Sequence, residues 1–551
     1  MTEPKEFYDL RNAGRSRQGG GQSRTLADVQ HRYSRRLYSE TTREDRKRER
    51  VVILGSGWGG YTLSRKLSTK EFSPLVISPR SYFLFTPLLT STAGGSLDFS
   101  QVIEPIRDSK ARVGYIQAQA RSVDFNRKIV SCEPAVINSD IPPAAAQTHD
   151  EEVQHVKKSD TSNITESPKR FRRGPTFDVP YDKLVIAVGA MTRTFDTPGV
   201  RENALFFKDI EDARRVKRRV RECFELAMLP TTSPDMKKWL LHFAIVGAGP
   251  TGTELAASIR DLIFPDLMKR YPDLSGIPRI SLYDVAPKVL SMFDEHLSQY
   301  AMETMKSEGI EIKTSHHVES LRWGAPGEKP PHDITDPSRC LTIKTKEQGE
   351  EGIGVCVWAT GNMMDQFITR SLDAVEEFPA SSVLTHGGPA VGGGSWKVKK
   401  TEKIGSLAVN DHLQVQLVNE TGRTVVLKDV FAIGDNATPE SNPPPATAQA
   451  TYQEAKWLGS QLNKGLSEDS PPFSFRSLGV MAYIGDSRAL MQFPNKDSKW
   501  KAWLPTNVTG RVARLIWNSA YITMSISWKN KFRVAIRWML NWVFGKDVSR
   551  Y

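Results

Sequence analysis

Two segments of the chain have glycines at the spacing that lets a backbone hold the phosphates of a dinucleotide. The pattern G-x-G-x-x-G occurs at Gly55, Gly57 and Gly60, and again at Gly247, Gly249 and Gly252. The first glycine of such a pattern permits a tight turn, the second lets a pyrophosphate approach, and the third lets helix and strand pack closely. Each segment follows an apolar run and opens a helical pattern, whose N-terminus would attract anions. We therefore predict two dinucleotide sites.

The residue that ends the second strand of each unit distinguishes the two sites. The stretch ISLYD ends in Asp284, a carboxylate that would accept the ribose hydroxyls of an adenosine and repel a 2′-phosphate. This favours NADH over NADPH, with a surface turn residue as the alternative interpretation. After the first glycine segment the corresponding residue is the neutral Ser78. Ribose binding there would depend on the serine hydroxyl and the adjoining backbone.

Two dinucleotides in one chain indicate electron transfer from a nicotinamide to a flavin. Asp435 ends the stretch AIGD and could hold a ribityl or pyrophosphate oxygen of FAD, although a helix cap or a turn would explain it equally well. Strands that end in glycine at 187–190 and 359–361 stand where folds of this kind cross between domains.

Apolar runs alternate with helical patterns along most of the chain, which predicts an α/β fold with two Rossmann-like dinucleotide-binding domains and a small C-terminal domain. A helix is expected at 208–228, a hairpin at 478–493 and helices in the last forty residues. Loops are expected at 139–177, inside the first domain, and at 380–403. The predicted domains are 51–240 with 395–474 for FAD, 241–394 for NADH, and 475–551 for membrane anchoring or dimerisation.

The charge of the chain is concentrated at its C-terminal end. The net charge is +12 over 551 residues, and residues 500–551 hold nine Lys and Arg against Asp547 alone, which gives +8. The same stretch holds six of the twelve tryptophans. A helical stripe of Arg533, Arg537 and Asn541 lies beside a face of Phe532, Ile536, Met539, Trp542 and Val543. This pattern is typical of a helix in the bilayer interface, with packing on the protein core or across a dimer as the alternative.

Residues 1–50 have the composition of a presequence or a flexible tail. Seven arginines and one acid lie between residues 11 and 38, which is typical of a mitochondrial presequence. Glu3, Glu6 and Asp9 argue for a plain tail instead.

No apolar window is long enough for a transmembrane helix. The four cysteines are far apart and indicate no disulfide framework, zinc site or iron–sulfur cluster, so no metal site is predicted.

Several stretches resemble the mitochondrial type II NADH:ubiquinone oxidoreductases, the alternative enzymes that do not pump protons. They are SPRSYFLFTPLL (78–89), VIEPIR (102–107), VGAGPTGTELAA (246–257), VWATGN (357–362), FAIGD (431–435), ATAQATYQEA (446–455), LGVMAYIGDSRAL (478–490), WNSAYITMSISWKNK (517–531) and WMLNWVFGKDVSRY (538–551). The resemblance covers about residues 50–551 apart from the inserted loops. It implies hydride transfer from NADH to FAD and two-electron reduction of ubiquinone at the surface of the mitochondrial inner membrane, without indicating a face.

The resemblance also assigns roles to individual residues. It places Gly55, Gly57, Gly60, Ser78, Thr86 and Asp435 at FAD, and Gly247, Gly249, Gly252, Glu254 and Asp284 at NADH. Neighbouring residues complete the expected cofactor sites: Ser56, Pro79, Arg80, Gly189, Thr251, Thr360, Gly361, Gly434 and Ala448. Gln449 and Gln453 would line the flavin–quinone pocket, with exposed helix glutamines as the alternative. Glu254 would influence proton uptake or only orient the nicotinamide. Tyr452 departs from the family pattern and puts the shape of the quinone pocket in doubt.

Two other functions are compatible with the same motifs. A sulfide:quinone oxidoreductase would need paired redox cysteines near the flavin, and Cys356 has no convincing partner in the sequence. A flavoprotein that senses NADH with little turnover is the other alternative. A homodimer is also expected, with the C-terminal region serving dimerisation as well as membrane anchoring. The basic tail has no nucleic-acid-binding module beside it, and no EF-hand pattern occurs, so neither nucleic acid nor calcium is an expected partner.

Overall fold

The computed structural model describes residues 48–107, 112–136, 175–328, 339–375, 377–378, 383–384, 396–493, 507–524 and 527–544. The expected presequence or tail at 1–50 lies outside the described residues except for its last three. Most of the expected loop at 139–177 lies outside them as well.

The strands run in the following order. They are β1 (Glu49–Leu54), β2 (Phe72–Ser78), β3 (Tyr82–Leu84), β4 (Ile103–Pro105), β5 (Gly114–Asp124), β6 (Ile129–Pro134), β7 (Phe177–Pro180), β8 (Lys183–Ile186), β9 (Ala190–Thr192), β10 (Leu205–Phe206), β11 (His242–Val246), β12 (Arg279–Tyr283), β13 (Ile310–Lys313), β14 (Val318–Trp323), β15 (Leu341–Thr345), β16 (Gly349–Ile353), β17 (Val355–Trp358), β18 (Asn362–Met364), β19 (Val383–Leu384), β20 (Trp396–Val398), β21 (Leu407–Val409), β22 (Gln414–Asn419), β23 (Thr424–Ala432), β24 (Ala437–Pro439), β25 (Val480–Gly485), β26 (Arg488–Gln492) and β27 (Asn507–Thr509).

The helices connect and cover these strands. They are α1 (Trp58–Lys66), α2 (Leu89–Ala93), α3 (Val200–Asn203), α4 (Ile210–Met228), α5 (Pro234–Leu240), α6 (Pro250–Leu262), α7 (Met268–Arg270), α8 (Glu295–Ser307), α9 (Ala448–Leu462), α10 (Gly510–Met524) and α11 (Trp528–Phe544). Short 3₁₀ turns occupy Thr86–Leu88, Phe99–Gln101 and Pro272–Leu274, and π-helical turns occupy Ile263–Leu267 and Phe367–Ser371.

The first glycine segment belongs to a twelve-stranded sheet whose centre is parallel. Its central order is β5-β2-β1-β8-β23, and every neighbouring pair in that set is parallel. The residues Val51–Leu54 of β1 are buried, as expected for a parallel strand covered on both faces. Because β23 pairs with β8, the chain returns to the first sheet after it has built the second. The predicted first domain likewise consists of two segments, 51–240 and 395–474.

The second glycine segment belongs to a separate, five-stranded sheet. Its order is β10-β17-β11-β12-β13, and all neighbouring pairs are parallel. Since β10 is part of this sheet, the chain first enters it at Leu205, ahead of the boundary predicted at residue 241. The glycine breaks at 187–190 and 359–361 predicted crossings between the domains. The strands at these two places, β9 and β18, form an antiparallel pair. The exact domain limits remain a prediction.

Most of the expected elements are present at their expected places. The helix predicted at 208–228 is α4, and the hairpin predicted at 478–493 is formed by β25 and β26. The loop predicted at 380–403 is wrong at Val383–Leu384, which form β19 and pair with β23, and at Trp396–Val398, which form β20 and pair with β22. Trp396 and Val398 are buried while Lys397 is exposed, so the stretch alternates as an edge strand does. The flanking glycines and lysines concealed this three-residue pattern.

The C-terminal region contains a three-stranded antiparallel sheet, β25-β26-β27, and the helices α10 and α11. No helix among the described residues is both long and apolar enough to cross a membrane. Trp517 of α10 is 1% exposed and packs against the ring of Tyr521, with centroids 4.4 Å apart. Tyr483 of β25 and Trp538 of α11 each lie 6.2 Å from the same indole. One buried tryptophan therefore joins both helices to the sheet.

Removing this tryptophan should destabilise the C-terminal region. Trp517→Ala is expected to lower the free energy of unfolding by about 3–5 kcal/mol, as large-to-small changes in a core do. Trp528→Ala is the matched control, because Trp528 is 75% exposed at the start of α11. The control should change stability by less than about 0.5 kcal/mol. Denaturant unfolding in detergent measures both, and equal losses would contradict the assigned packing.

Candidate functional site

One cavity of about 870 Å³ extends from the first glycine segment to the second. It is lined by most of the residues that the sequence singled out: Gly55, Ser56, Gly57, Ser78, Pro79, Arg80, Thr86, Gly189, Gly249, Thr251, Glu254, Thr360, Gly361, Gly434, Asp435 and Ala448. The remaining candidates do not line it: Gly60, Gly247, Gly252, Asp284, Gln449 and Gln453. The structure thus brings residues from both sheets into one space, which their separation in the sequence could not show.

The two helices that follow the glycine segments lack the side-chain caps found on the other helices of similar length whose caps are described. Helices α1 and α6 start after Gly57 and Gly249 with no side-chain hydrogen bond at either cap. Side chains do cap the four other helices of seven or more residues whose caps are described: Asp209 for α4, Ser233 for α5, Asp294 for α8 and Thr447 for α9. Because free N–H groups at a helix start attract anions, both ends fit a pyrophosphate.

Within each pattern, the second and the third positions require glycine for different structural reasons. A Cβ on Gly60 would overlap the carbonyl oxygen of Gly55, and a Cβ on Gly252 would overlap that of Gly247. By contrast, a Cβ on Gly57 or Gly249 would have no neighbouring atom within 4 Å. The third glycine of each pattern therefore serves packing. The second leaves open the space that a ligand would need, in agreement with the sequence-based reasoning.

The hydroxyl of Ser78 contacts the first glycine segment through the hydroxyl of Ser56. Its Oγ lies 2.9 Å from Oγ of Ser56 and accepts the N–H of Arg80 at 3.2 Å. Ser56 is in turn within hydrogen-bonding distance, 3.1 Å, of the carbonyl oxygens of Arg80 and Tyr82. A buried serine pair thus occupies the place where a carboxylate is usual. Arg80 beside it pairs with Asp209 at 3.3 Å.

Asp284 directly follows β12 and binds the backbone of the second glycine segment. Its Oδ2 accepts the N–H of Ala248 at 2.5 Å, and its Oδ1 accepts the N–H of Ala286 at 2.8 Å. The carboxylate therefore shapes the glycine turn in addition to any contact with a ribose. Each oxygen keeps a second lone pair for such a contact.

Asp435 lies in the cavity wall beside a lysine that the sequence-based reasoning did not identify. Burial raises the pKa of the Asp435 carboxyl, and Lys208 opposes that rise. Burial likewise lowers the pKa of Lys208, whose Nζ donates to Ala190 O at 3.0 Å and to Asn362 Oδ1 at 2.9 Å. No local motif marks Lys208, because only the turn from β10 into α4 carries it to the cavity.

Glu454 of α9 is a second buried carboxyl close to this wall. Its Oε2 accepts the N–H of Gly434 at 2.6 Å. Burial raises the pKa of the Glu454 carboxyl to about 7, and the nearby charge of Asp435 raises it further. Gly434, which precedes Asp435, is thereby held in place by a side chain of α9. No sequence motif marks Glu454, apart from its position next to Gln453.

Glu254 lines the cavity on the side of the second glycine segment. Burial raises the pKa of its carboxyl to about 7, although hydrogen bonds and the charge of Arg514 lower it in part. Its Oε1 accepts the N–H of Tyr483 at 3.0 Å, and its Oε2 accepts the hydroxyl of Thr90 at 3.4 Å. Tyr521 of α10 also lines the cavity. A carboxyl that exchanges its proton near neutral pH therefore faces the shared space.

Gln449 and Gln453 lie on α9, and their side-chain amides bind backbone. Gln449 bonds to Leu478 and Gly479, and Gln453 bonds to Arg476. Their expected contact with a quinone remains a prediction.

Tyr452, which lies between Gln449 and Gln453 on α9, is 37% exposed, and its ring lies 6.3 Å from that of Trp58. Trp58, at a variable position of the first glycine pattern, lines the cavity and donates to Thr86 Oγ1 at 3.0 Å.

The geometry defines a class: an oxidoreductase that binds two dinucleotides on two sheets around one cavity. Residues 49–375 match the family described as pyridine nucleotide-disulphide oxidoreductase. Residues 478–547 match the NDH2 C-terminal domain. The chain belongs to the pyridine nucleotide-disulphide oxidoreductases and, within them, to the mitochondrial alternative NADH–ubiquinone oxidoreductases.

Individual relatives agree with this membership. The external alternative NADH-ubiquinone oxidoreductase of Yarrowia lipolytica is 30% identical, with 92% of this chain and 81% of that protein covered. The external NADH-ubiquinone oxidoreductase 2 of Saccharomyces cerevisiae is also 30% identical, with 91% and 82% covered. Both are named as mitochondrial. The structure of NDH2 from Plasmodium falciparum in complex with NADH has a TM-score of 0.69 at 22% identity, covers 91% of this chain and 100% of that one, and shows the same fold.

The cysteines separate this chain from relatives that use a redox disulfide. All four cysteines lie among the described residues, and all are buried as free thiols. None of the four lines the cavity. Burial raises the pKa of the Cys356 thiol to about 12, which disfavours the reactive thiolate. The sulfide:quinone oxidoreductase alternative therefore lacks the paired thiols that it requires.

The raised pKa of Glu254 predicts how stability depends on pH. Because the folded protein holds this proton more tightly than the unfolded chain, the free energy of unfolding should fall between pH 4.5 and about 7. The contribution is about 3 kcal/mol, at about 1.4 kcal/mol per pKa unit. Glu254→Gln should remove that part of the fall.

Denaturant unfolding at pH 4.5 and pH 8 measures the effect. Glu303→Gln is the matched control, since Glu303 is exposed on α8 and stays in water in both states. An identical fall in both variants would show that Glu254 is not held protonated by burial.

Proposed function

We propose that the chain transfers hydride from NADH to FAD and passes two electrons on to ubiquinone, without pumping protons. The observation that carries the proposal is the single cavity that both glycine segments line. Membership of the family supports the same reaction, because its named relatives are NADH–ubiquinone oxidoreductases. The first glycine segment with Ser78, Thr86 and Asp435 would hold FAD. The second, with Thr251 and Asp284, would hold NADH.

The residues of the chain supply binding, orientation and proton control. When bound, FAD supplies the hydride acceptor and the two-electron donor. The starts of α1 and α6 would hold the pyrophosphates, and because both open into one cavity they would bring the two dinucleotides into the same space. Gly434, whose N–H binds Glu454, and the adjacent Asp435 would contact the flavin. Glu254 holds a proton near neutral pH, which quinone reduction consumes.

Asp284 supports a preference for NADH. Its carboxylate stands at the end of β12, within reach of an adenosine ribose in this fold. A 2′-phosphate placed there would meet that negative charge. Since both carboxylate oxygens already bind backbone N–H groups, the side chain cannot turn away without loosening the glycine turn.

We propose further that α10 and α11 dock on the membrane that holds the quinone. In α11 the exposed apolar side chains include Trp528, Phe532 at 63% and Ile536 at 49% exposure. The opposite face binds the protein: Asn530 donates to Ile103 O at 3.1 Å, and Asn541 donates to Ser96 O at 2.6 Å. The helix is thus fixed on one side and apolar on the other, as an interfacial helix requires.

Basic residues strengthen this membrane proposal. Lys529 and Arg533 are exposed on α11, and Arg511 is exposed on α10. Each cation near an anionic leaflet contributes about 1 kcal/mol. The mitochondrial names of the relatives and the arginine-rich N-terminal region support the inner mitochondrial membrane as the location. A homodimer through the same face is the competing use of this surface.

Two alanine substitutions separate the two nucleotide sites. Gly57→Ala should fold, since its Cβ has open space, yet lose FAD affinity by at least about tenfold, or 1.4 kcal/mol. Gly249→Ala should keep FAD and raise the apparent KM for NADH by at least about tenfold. Flavin absorbance of the purified protein and stopped-flow reduction by NADH measure these effects, followed by reoxidation with a short-chain ubiquinone.

Each glycine variant is the control for the other. If both lose FAD, or if both keep full NADH affinity, the assignment of one nucleotide to each segment fails. A wild-type protein that NADH reduces but quinone does not reoxidise would leave the NADH-sensing alternative as the better description.

The membrane proposal has its own test. The double variant Phe532→Asp, Ile536→Asp should lose binding to vesicles of phosphatidylcholine with an anionic phospholipid. It should keep NADH oxidation with a water-soluble acceptor, because neither side chain reaches the cavity. Leu229→Asp is the control, since Leu229 is an exposed apolar residue after α4. Vesicle co-sedimentation measures the binding, and a lost dimer with unchanged vesicle binding would favour the dimer instead.

A further inference from the structure

Arg514 of α10 places a positive charge between two aromatic rings. The centre of its guanidinium lies 4.0 Å from the ring centroid of Tyr483 and 4.2 Å from that of Trp517. Among the described residues no carboxylate oxygen lies within 4.0 Å of it, and its buried Nη1 atom has no hydrogen-bond partner. Burial lowers the pKa of Arg514, because a charge removed from water is costly. A cation in such surroundings is stabilised by negative charge nearby.

Tyr483 of β25 connects Arg514 to two carboxyls of α6. Its N–H donates to Glu254 Oε1 at 3.0 Å, and its hydroxyl donates to Asp261. Glu254 and Asp261 are seven residues apart, so they lie on the same face of α6, about two turns apart along its axis. Both carboxyls are buried. The residue on which Arg514 stacks is therefore bound at its backbone by one carboxyl and at its hydroxyl by the other.

The two carboxyls differ in the positive charge around them. Asp261 has a cation of its own, because Arg260 Nη1 lies 3.2 Å from its Oδ1. The described groups that face Glu254 are the Thr90 hydroxyl from α2, the Tyr483 N–H from β25, and Arg514, Trp517 and Tyr521 from α10. Of these described groups, Arg514 alone is a cation. Burial raises the pKa of the Glu254 carboxyl to about 7, and the charge of Arg514 opposes that rise.

We propose that Arg514 is a positioning residue that acts through Glu254: its guanidinium, fixed between two rings, is the buried positive charge that allows this carboxyl to ionise beside the cavity. The proposal rests on the proposed function for its catalytic consequence, because the reaction would use Glu254 to exchange a proton. Two contacts support it. The Tyr483 ring holds the guanidinium on one side, and the N–H of the same residue binds the carboxyl. Arg514 itself does not line the cavity.

Infrared titration of the purified full chain with FAD tests the charge itself. The C=O absorption of a protonated carboxyl reports Glu254, and its absence from Glu254→Gln identifies the band. Arg514→Met removes the charge and keeps an apolar chain between the rings, so the pH midpoint of this band should move upward by about one pH unit. Arg514→Lys keeps a positive charge and should stay nearer to the wild-type midpoint.

Arg214→Met is the matched control for this titration. Arg214 is exposed on α4, and its guanidinium also lies over an aromatic ring, 5.1 Å from the centroid of Phe99. The substitution therefore removes a cation from a helix and from a ring, but Arg214 is not among the groups that face Glu254. The midpoint should keep its wild-type value. An equal upward shift in the control would contradict a local effect of Arg514.

The consequence for the reaction appears in a second pH profile. Reoxidation of the reduced flavin by a short-chain ubiquinone should follow the protonation of Glu254, so its pH midpoint should move upward in Arg514→Met as the infrared midpoint does. The measurement uses detergent without vesicles, which excludes effects on membrane docking. If Arg514 only packed the C-terminal region, its removal would lower the rate and leave the midpoint in place.

A double variant keeps the proposal testable if Arg514→Met loses FAD. An ionised carboxyl that is buried without its positive charge destabilises the fold, whereas a glutamine in its place carries no charge. At pH values above the midpoint, Glu254→Gln combined with Arg514→Met should therefore bind FAD at least about tenfold more tightly than Arg514→Met alone. Equal losses of FAD in the two variants would overturn the proposal.

The two titrations separate this proposal from the proposed function. An infrared midpoint that stays at the wild-type value in Arg514→Met would overturn the role of Arg514, whatever the activity. If the wild-type protein does not reduce quinone, the proposed function fails, whereas the infrared midpoint still decides whether Arg514 controls the ionisation of Glu254.

Discussion

Two helix starts without side-chain caps open into the same cavity, and their need for anionic ligands governs the arrangement of the whole chain. A helix N-terminus with free N–H groups is stabilised when a phosphate accepts them. In this chain each glycine segment follows the carboxyl end of a parallel strand, β1 in the first sheet and β11 in the second. The chain leaves the first sheet after β8, builds the second, and returns at β23. The glycines at 57 and 249 keep both approaches open.

The electrostatics of the cavity follow from its burial. Asp435 and Glu254 line the cavity, Glu454 lies behind Gly434, and desolvation raises the pKa of each of the three carboxyls. At Asp435 the positive charge of Lys208 opposes this rise in pKa. Glu254, whose carboxyl lines the cavity with its pKa raised to about 7, is suited to a reaction whose product needs protons. The C-terminal region participates directly, since β25 donates an N–H to Glu254 and α10 brings Tyr521 to the cavity.

Local patterns in the sequence were sufficient to predict the elements but not every contact. Glycine spacing and apolar runs predicted both nucleotide-binding units, the α/β fold, the hairpin at 478–493 and the C-terminal helices, because those features are encoded within short windows. β19 and β20 were missed, since strands of two and three residues carry too little pattern. Lys208 and Glu454 were missed because their roles depend on contacts across distant segments. Gln449 and Gln453 were found by resemblance, yet their hydrogen-bond partners are visible only in three dimensions.

The account depends on the nicotinamide and flavin rings meeting in the one cavity. Absorbance of the reduced, FAD-containing protein on addition of NAD⁺ tests this contact most directly, because stacked donor and acceptor rings produce a long-wavelength charge-transfer band. The account predicts that the band appears with the wild-type protein and saturates with NAD⁺. A reduced protein that binds NAD⁺ without developing such a band would place the two rings apart and contradict it.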